Sequence, residues 1–307
     1  MSHRMGTVAL LGAPNAGKST LLNGILGQRL AITSSKPQTT RDRIVGIHNG
    51  PDAQMVLIDT PGIHTARSEL NKLMVQRALG ALGEADVTLW VVDGITLAKR
   101  VEAGKPPLES ALDPIASMLV DAGHPVVVAL NKIDVVPRPL LLPVIDALSK
   151  RLTAEIVPVS GLTGDGVPGL LSVVAEHLPL GDPRFDAEAW TPLSERFLAA
   201  EVIREKVFHH TEQEVPYACC VVLNVFDEAE RANGRIRVQA DIVLERDSQK
   251  GIVIGKGGEM LKRIGTAARK DLNTMLDTRV HLELFVKVEK DWTRSERGLR
   301  RLGLYDR

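Results

Sequence analysis

Aromatic residues are scarce in this chain. Three Trp, two Tyr and five Phe make up 3% of its 307 residues. A nucleic-acid surface here has few rings on which to stack bases, so recognition would fall to hydrogen bonds at base edges. Cysteine is scarcer still. Cys219 and Cys220 are the only two, and neighbours on a strand point to opposite faces. A structural disulfide between them is not expected, nor is a metal-ligand spacing present, and a reducing cytoplasm fits. No apolar run approaches the ~20 residues of a membrane span. The apolar run before Gly12 is too short to be expected as a signal peptide. Net charge is missing too, since 38 Lys and Arg balance 38 Asp and Glu. That neutrality is uneven: residues 250–307 hold 14 Lys and Arg against 8 Asp and Glu, a balance of +6. A basic end on a neutral chain points to a localised polyanion site. The length suits two domains, each large enough to bury its own core.

What is present begins with Gly12-Ala13-Pro14-Asn15-Ala16-Gly17-Lys18-Ser19. This G-x-x-x-x-G-K-[ST] run follows the apolar strand pattern Thr7 to Leu11 and precedes the helical pattern Thr20 to Leu26. Its glycines allow backbone N–H groups to turn inward on phosphates, and the helix adds its positive N-terminal end. Lys18 would reach the β/γ-phosphates and Ser19 would ligate Mg²⁺. Gly12, Asn15, Ala16, Gly17, Lys18, Ser19 and Thr20 are therefore the phosphate-side candidates.

Apolar runs recur at Met55 to Ile58, Val87 to Val92, Val126 to Leu130 and Ile156 to Val159. Helical patterns lie between them at about Glu69 to Leu82, Leu108 to Asp121, Leu140 to Leu152 and Val167 to Leu178. Continuous apolar strands between helices predict a parallel sheet covered on both faces. Ile44 to His48, followed by Asn49-Gly50-Pro51, predicts an added hairpin strand at the edge. Residues 95–114 read mostly as an exposed loop.

Ligands in such folds bind at the carboxyl ends of the strands, and further motifs fall there. Asp59-Thr60-Pro61-Gly62 would place a carboxylate near Mg²⁺ and the Gly62 N–H near a γ-phosphate. Between the two phosphate motifs, Pro37-Gln38-Thr39-Thr40-Arg41 would be a switch closing over Mg²⁺ through Thr40, with Thr39 close behind. Lys18, Thr40 and Gly62 are the catalytic candidates, and Ser19, Thr40 and Asp59 the metal ligands. Asn131-Lys132-Ile133-Asp134 ends the next strand. The Asp134 carboxylate can accept both guanine N1–H and the exocyclic amine, a pair adenine cannot supply. In order and spacing these motifs resemble the Ras-like GTPase signature. That resemblance implies a last base-contacting loop at Ser160-Gly161-Leu162, where Ala is usual in place of Gly161.

Ile63 stands where Ras-like enzymes carry the Gln that orients the attacking water. The chain thus resembles the translation-factor-related branch, which has a hydrophobic residue there. Intrinsic turnover would be slow, nearer ~10⁻⁴ s⁻¹ than the stimulated ~10 s⁻¹ of Ras-like enzymes. In that branch an Asn at the place of Asn15 helps hold K⁺, which equal rates in K⁺ and Na⁺ would exclude here.

Leu178-Pro179-Leu180-Gly181-Asp182-Pro183 closes the first domain, expected over residues 1–180, and residues 181–193 read as an ordered, irregular linker. Residues 194–307 then give helix Ser194 to His210, strand Tyr217 to Phe226 and strand Arg235 to Leu244, with Asn233-Gly234 in a hairpin turn. Two helices follow, joined at Gly251 to Gly258, the second about Glu259 to Leu276, and then a strand Arg279 to Val288. Ile252-Val253-Ile254-Gly255-Lys256-Gly257-Gly258 at the helix junction reads as the G-x-x-G loop of a type II KH domain, which clamps about four nucleotides. Lys262 and Arg263 extend its basic flank, with Arg269 and Lys270 beyond. His209 and His210 read as a helix end and Trp292 as a packing anchor.

Taken together, an α/β Ras-like P-loop GTPase domain followed by an α+β type II KH domain resembles the bacterial Era-type GTPases. The likeness spans essentially the whole chain and includes Ile203-Arg204-Glu205-Lys206 and Glu214-Val215-Pro216-Tyr217. It implies a GTPase using GTP/GDP and Mg²⁺ that binds small-subunit (16S) ribosomal RNA near its 3′ end and assists 30S assembly. It leaves room for peripheral association with the inner membrane, for which the sequence shows no amphipathic anchor. The rival reading is a membrane or cell-cycle GTPase in which RNA binding is secondary.

Overall fold

Strands buried on both faces need uninterrupted apolar residues. The computed structural model, which describes residues 3–34, 36, 39–63, 68–106, 113–120, 123–150 and 153–305, builds them where those runs occur. The described residues form two compact units, 1–65 with 74–192 and 66–73 with 193–307. In the first, β1 (Arg4–Leu11), β2 (Ile44–Asn49), β3 (Ala53–Asp59), β4 (Val87–Asp93), β5 (Val126–Asn131) and β6 (Glu155–Pro158) pair in the order β2-β3-β1-β4-β5-β6. All pairings are parallel except that of β2 on β3, so the expected edge hairpin is present. β4 is buried from Val87 through Val92, with Trp90 at 0% exposure. Helices α1 (Lys18–Leu26), α2 (Glu69–Glu84), α3 (Gly94–Glu102), α4 (Asp113–Val120), α5 (Arg138–Ser149) and α6 (Val167–His177) follow the alternation.

The stretch 95–114 corrects the sequence reading, because α3 occupies its first half. The Asp93 carboxylate accepts from Ile95 N and Thr96 N and so starts the helix, while Leu97 and Ala98 are buried. A glycine at the first helical position hid that start from a propensity argument. Of the helical pattern 108–121, residues 108–112 and 121 lie outside the described residues, as do 151–152 of the next and Pro37-Gln38 of the switch.

Edge strand β2 does not offer bare backbone to solvent. Ile47 N donates to Trp190 O at 2.8 Å, and Thr191 Oγ1 to Val45 O at 2.6 Å. The Asn49 amide donates to Ala187 O and Ala189 O, both at 2.9 Å. Buried Gln54 donates to Phe185 O and accepts from Arg184 N and Phe185 N. Residues 184–191 therefore strap the sheet edge, a common protection against strand addition.

In the second unit, Ser194 caps α7 (Glu195–His210) by accepting from Phe197 N. Strands β7 (Cys220–Asp227), β8 (Arg235–Leu244) and β9 (Arg279–Val288) form a sheet in that order, β7 antiparallel and β9 parallel to β8. β7 starts three residues later than Tyr217, because Pro216–Ala218 forms a 3₁₀ turn whose proline lacks an N–H. The connection to β8 is longer than a two-residue turn, with a 3₁₀ turn at Arg231–Asn233 and Gly234 at φ +72°. Helices α8 (Asp247–Ile254) and α9 (Glu259–Met275) complete the helix–strand–strand–helix–helix–strand order. Ile236, Val238, Ala240, Ile242 and Leu244 alternate into a core with Ile264, Ala268 and Leu272, one stripe of α9. Cys219 and Cys220 are both buried and in no disulfide, and Trp292 is fully buried. A short α10 (Glu296–Arg301), capped by Ser295, has no counterpart in the sequence reading, since six arginine-rich residues carry no apolar period. Among the described residues no helix is long and apolar enough to cross a membrane.

Candidate functional site

The loop between β1 and α1 owes its shape to glycines that nothing else could replace. Gly12 lies at φ +154°, and a Cβ there would stand 2.3 Å from Val91 O. Gly17, at φ +94°, would push a Cβ to 2.3 Å from the Asn131 amide nitrogen. Asn15 is left-handed at φ +62°, a conformation asparagine tolerates better than most residues. The resulting cleft, about 620 Å³, is lined by Pro14, Asn15, Gly17, Lys18, Ser19 and Thr20 and, across from them, by Thr39, Thr40, Gly62, Asp93 and Lys132.

Lys18 is buried, and Nζ donates to Gly12 O at 3.2 Å and Ala13 O at 3.1 Å. Burial lowers its pKa, with the Asp59 charge partly opposing the shift. Asp59 shows the converse, pushed up by burial against the pull of Lys18, Ser19 and Thr40. Ser19 Oγ donates to Asp59 Oδ2 at 2.6 Å and lies 2.8 Å from Thr40 Oγ1. Thr40 Oγ1 also donates to Asp59 Oδ2, at 3.2 Å. Asp59 Oδ1 is buried and accepts no hydrogen bond from the described residues. Two hydroxyls and an under-satisfied carboxylate form an all-oxygen set suited to a hard divalent cation. Thr39 also lines the cleft, and its Oγ1 donates to Lys36 O at 2.8 Å.

That buried carboxylate sets a testable pH dependence. In the unfolded chain Asp ionises near ~3.9, whereas in the folded chain its pKa is raised. Burial of the charge therefore destabilises the fold above the folded pKa, and the penalty vanishes as pH falls toward the unfolded value. In chelator and without nucleotide, Asp59→Asn should melt above the parent chain at pH 7.5. The gap should narrow toward pH 5, and the variant should gain nothing from added Mg²⁺. A lower melting temperature at pH 7.5 would contradict this account.

Gly62 sits so close to the loop that a Cβ would meet Pro14 N at 2.8 Å and Cα at 2.9 Å. Ile63 N donates to Gly12 O at 3.2 Å, while its side chain packs on the core cluster that includes Leu11 and Trp90. It is absent from the cleft lining.

Asn131, 2% exposed, works as a clasp. Its amide nitrogen donates to Ala16 O at 3.0 Å, and its Oδ1 accepts from Gly161 N at 2.9 Å. Lys132, left-handed at φ +68°, pairs with Asp93 at 2.9 Å. Asp134 accepts from the buried Ser160 hydroxyl at 2.7 Å, and Leu162 is largely exposed. Gly161 now has a reason. A methyl there would stand 2.7 Å from Leu21 Cα, and one at Gly24 would stand 2.6 Å from Gly161 O. The loop at Gly161 rests directly on the α1 backbone. Asp93 and Gly24 escaped the sequence reading, since neither belongs to a motif.

The second candidate site lies at the α8–α9 junction. Gly255, Gly257 and Gly258 have φ of +74°, +61° and +82°, and Lys256 is exposed. Beyond them a cleft of about 360 Å³ runs between α9 and edge strand β9. Gly258, Leu261, Lys262, Gly265, Thr266 and Arg269 line one wall, Leu282 and Leu284 the other. Those α9 residues follow an i, i+3, i+4, i+7, i+8 and i+11 stripe, a pattern the sequence carried unread. Ile252 is 47% exposed and Ile254 half-buried, but Val253 lies wholly in the core and cannot face the cleft. Arg263 occupies the next face of α9, where its charge adds to burial in depressing the His210 pKa.

Known families match two parts of the chain. The family described as 50S ribosome-binding GTPase matches residues 7–132, and that described as KH domain matches residues 214–293. The GTPase Era of Geotalea uraniireducens is 50% identical over 98% of this chain and 97% of its own. That of Geobacter metallireducens is likewise 50% identical with the same coverage. Among solved structures, a variant of Aquifex aeolicus Era bound to GDP·AlF4⁻ is 38% identical at a TM-score of 0.89, covering 98% of this chain and 99% of that one. Era in complex with MgGDPNP and nucleotides 1506–1542 of 16S ribosomal RNA is 37% identical at 0.90, with the same coverage.

Proposed function

This chain belongs to the Era family of GTPases, and from that premise we propose that it is a GTP-driven switch which binds 16S ribosomal RNA near its 3′ end and assists 30S assembly. It hydrolyses GTP to GDP and phosphate. The observation that carries the reading is the meeting of Ser19, Thr40 and Asp59 beside the phosphate loop, on a chain that also bears the Gly255–Gly258 cleft. We assign residues 1–180 to the GTPase domain, 181–193 to the linker and 194–307 to the KH domain.

In this reading Lys18 exchanges its two carbonyl partners for β/γ-phosphate oxygens, and the Gly62 N–H contacts the γ-phosphate. Ser19, Thr40 and Asp59 would hold Mg²⁺. When bound, the ion neutralises charge developing on the phosphate oxygens. Thr40 takes the switch role, since Thr39 is committed to Lys36. Asp134 reads guanine, steadied by Ser160, while Asn131 and Gly161 fix the loop around the base. Ile63 offers no polar atom to the attacking water, so intrinsic turnover is slow. K⁺ beside Asn15 would supply charge during hydrolysis, and equal turnover in K⁺ and Na⁺ removes that element.

RNA would enter the cleft with its backbone against Gly255–Gly258 and its bases along Gly265, Leu282 and Leu284. Lys256→Asp combined with Gly257→Asp tests this. Both positions are exposed, and aspartate tolerates the left-handed backbone at 257. Binding of a 3′-end 16S oligonucleotide should fall by at least ~10²-fold, because two carboxylates would face phosphates. GTP turnover without RNA should stay unchanged. Undiminished binding would reduce the loop to a helix junction and end the assembly reading. We place the protein in the cytoplasm with the small subunit; sedimentation with membranes instead would favour the peripheral-membrane alternative.

A further inference from the structure

We propose that Arg77, on α2 and outside the nucleotide cleft, is a positioning residue for GTP hydrolysis that holds the end of the first switch so that Thr40 can close. The proposal rests on the GTPase reading of the cleft. Arg77 is 8% exposed, and its guanidinium donates to Arg41 O at 2.9 Å and pairs with the Asp42 carboxylate. Arg41 and Asp42 are themselves each 4% exposed, although both follow a polar loop. Two turns further along α2, Glu84 receives both guanidinium nitrogens of Arg43, at 2.9 and 2.5 Å. Positions 77 and 84 lie seven apart, hence on one helix face. Three consecutive residues after Thr40 are thus fastened to one side of α2.

The two ion pairs are not equal. Arg43–Glu84 has side chains 29% and 59% exposed and contributes little. Arg77–Asp42 is enclosed, and losing one partner of such a pair strands a buried charge. The interior pair therefore decides where residue 41 sits. Thr40 is its neighbour, about 3.8 Å away along the backbone, and must bring Oγ1 to within 2.8 Å of Ser19 Oγ. A displaced Arg41 carries Thr40 out of that range. With the end fastened, ordering the switch costs less when the triphosphate arrives. By reciprocity, α2 responds to whether Thr40 is engaged.

Neither the motif nor the spacing marks Arg77, which belongs to no phosphate or base signature. The test compares the full chain with Arg77→Met, Arg77→Lys, Asp42→Asn and Glu84→Gln, measuring affinity for GDP and for a non-hydrolysable GTP analogue in Mg²⁺, with kcat, KM and melting temperature. Arg77→Met should weaken the analogue about tenfold more than GDP, within the range of measured couplings, and lower kcat in step. Arg77→Lys should recover part of the ratio, because its ammonium keeps the charge facing Asp42 but carries fewer N–H donors than a guanidinium. Glu84→Gln should leave the ratio alone. Should Arg77→Met fail to fold, Asp42→Asn, which keeps the carbonyl contact, should show the same change in smaller measure. Equal weakening of both nucleotides with a lower melting temperature would mean a structural role and overturn the proposal. So would an unchanged ratio in a parent chain that discriminates the nucleotides. A parent chain that binds neither nucleotide would instead refute the GTPase reading beneath it.

Discussion

Replacing Lys18 with alanine should lower GTP turnover by roughly two to three orders of magnitude, the range for losing a preorganised electrostatic contact to a reacting group. The chain should remain folded, and that combination is the informative result. Lys18 is a buried ammonium held by two carbonyl oxygens of its own loop, with Asp59 as its charged counterpart. Desolvation already depresses its pKa, so the fold holds the cation at a cost that a triphosphate would offset. Truncation removes both the cost and the contact. Folding stability should change little, while the cleft loses its one buried cation among the described residues. Arginine should not rescue, because the carbonyl cradle at 3.1 and 3.2 Å fits a point charge and not a planar fork. Single-turnover hydrolysis, fluorescent-nucleotide titration and a thermal melt on one preparation separate these effects. Turnover persisting at the parent rate would show that the cleft does not act as the phosphate site. A collapsed melt would assign Lys18 a structural duty instead.

The legible parts of this protein share a physical cause. Gly12 and Gly17 need φ values open chiefly to glycine, and Asp59 and Asn131 stand at strand ends where a parallel sheet delivers its ligands. Such constraints are local, and therefore written in consecutive residues. What escaped depended on partners distant in sequence or on a masked period. Arg77 meets Asp42 across 35 positions, and no pattern within either segment announces the pair. Gln54 holds residues 184 and 185 across about 130 positions, which turned an apparent spacer into an edge guard. In α3 the cap Asp93 was present, but a glycine beside it obscured the helix. Ile252-Val253-Ile254 form one apolar run in the sequence. The helical turn of 100° per residue sends Val253 to the core and leaves Ile252 outside. Gly161 was legible only as a departure from the usual Ala. Its cause, the α1 backbone at 2.7 Å, is a tertiary contact.

Asp134→Asn should shift the base preference from guanine toward xanthine, with GTP affinity falling by about 10²–10³-fold or more, because a site built on specific hydrogen bonds rejects a base that leaves them unpaired. A carboxylate offers two acceptors, which guanine meets with N1–H and its exocyclic amine. Asparagine offers one acceptor and one donor. Xanthine keeps N1–H but presents a carbonyl where guanine has the amine, and so matches the amide. The geometry favours a clean exchange over collapse of the loop. Asp134 is exposed, and only one of its oxygens is engaged, by the Ser160 hydroxyl at 2.7 Å. A hydroxyl can rotate to serve either an amide oxygen or an amide N–H. Asn131, which ties Gly161 N to Ala16 O, is untouched by the change, so the loop should keep its place on α1. Competition of GTP and XTP for the parent and the variant, followed by turnover of each nucleotide, reads the outcome directly. Gain of XTP turnover near the parent's GTP rate would separate base reading from phosphate chemistry within one cleft. Loss of both nucleotides together would mean that Asp134 supports the loop and that another group reads the base, with the Lys132–Asp93 pair at the cleft wall the next to examine.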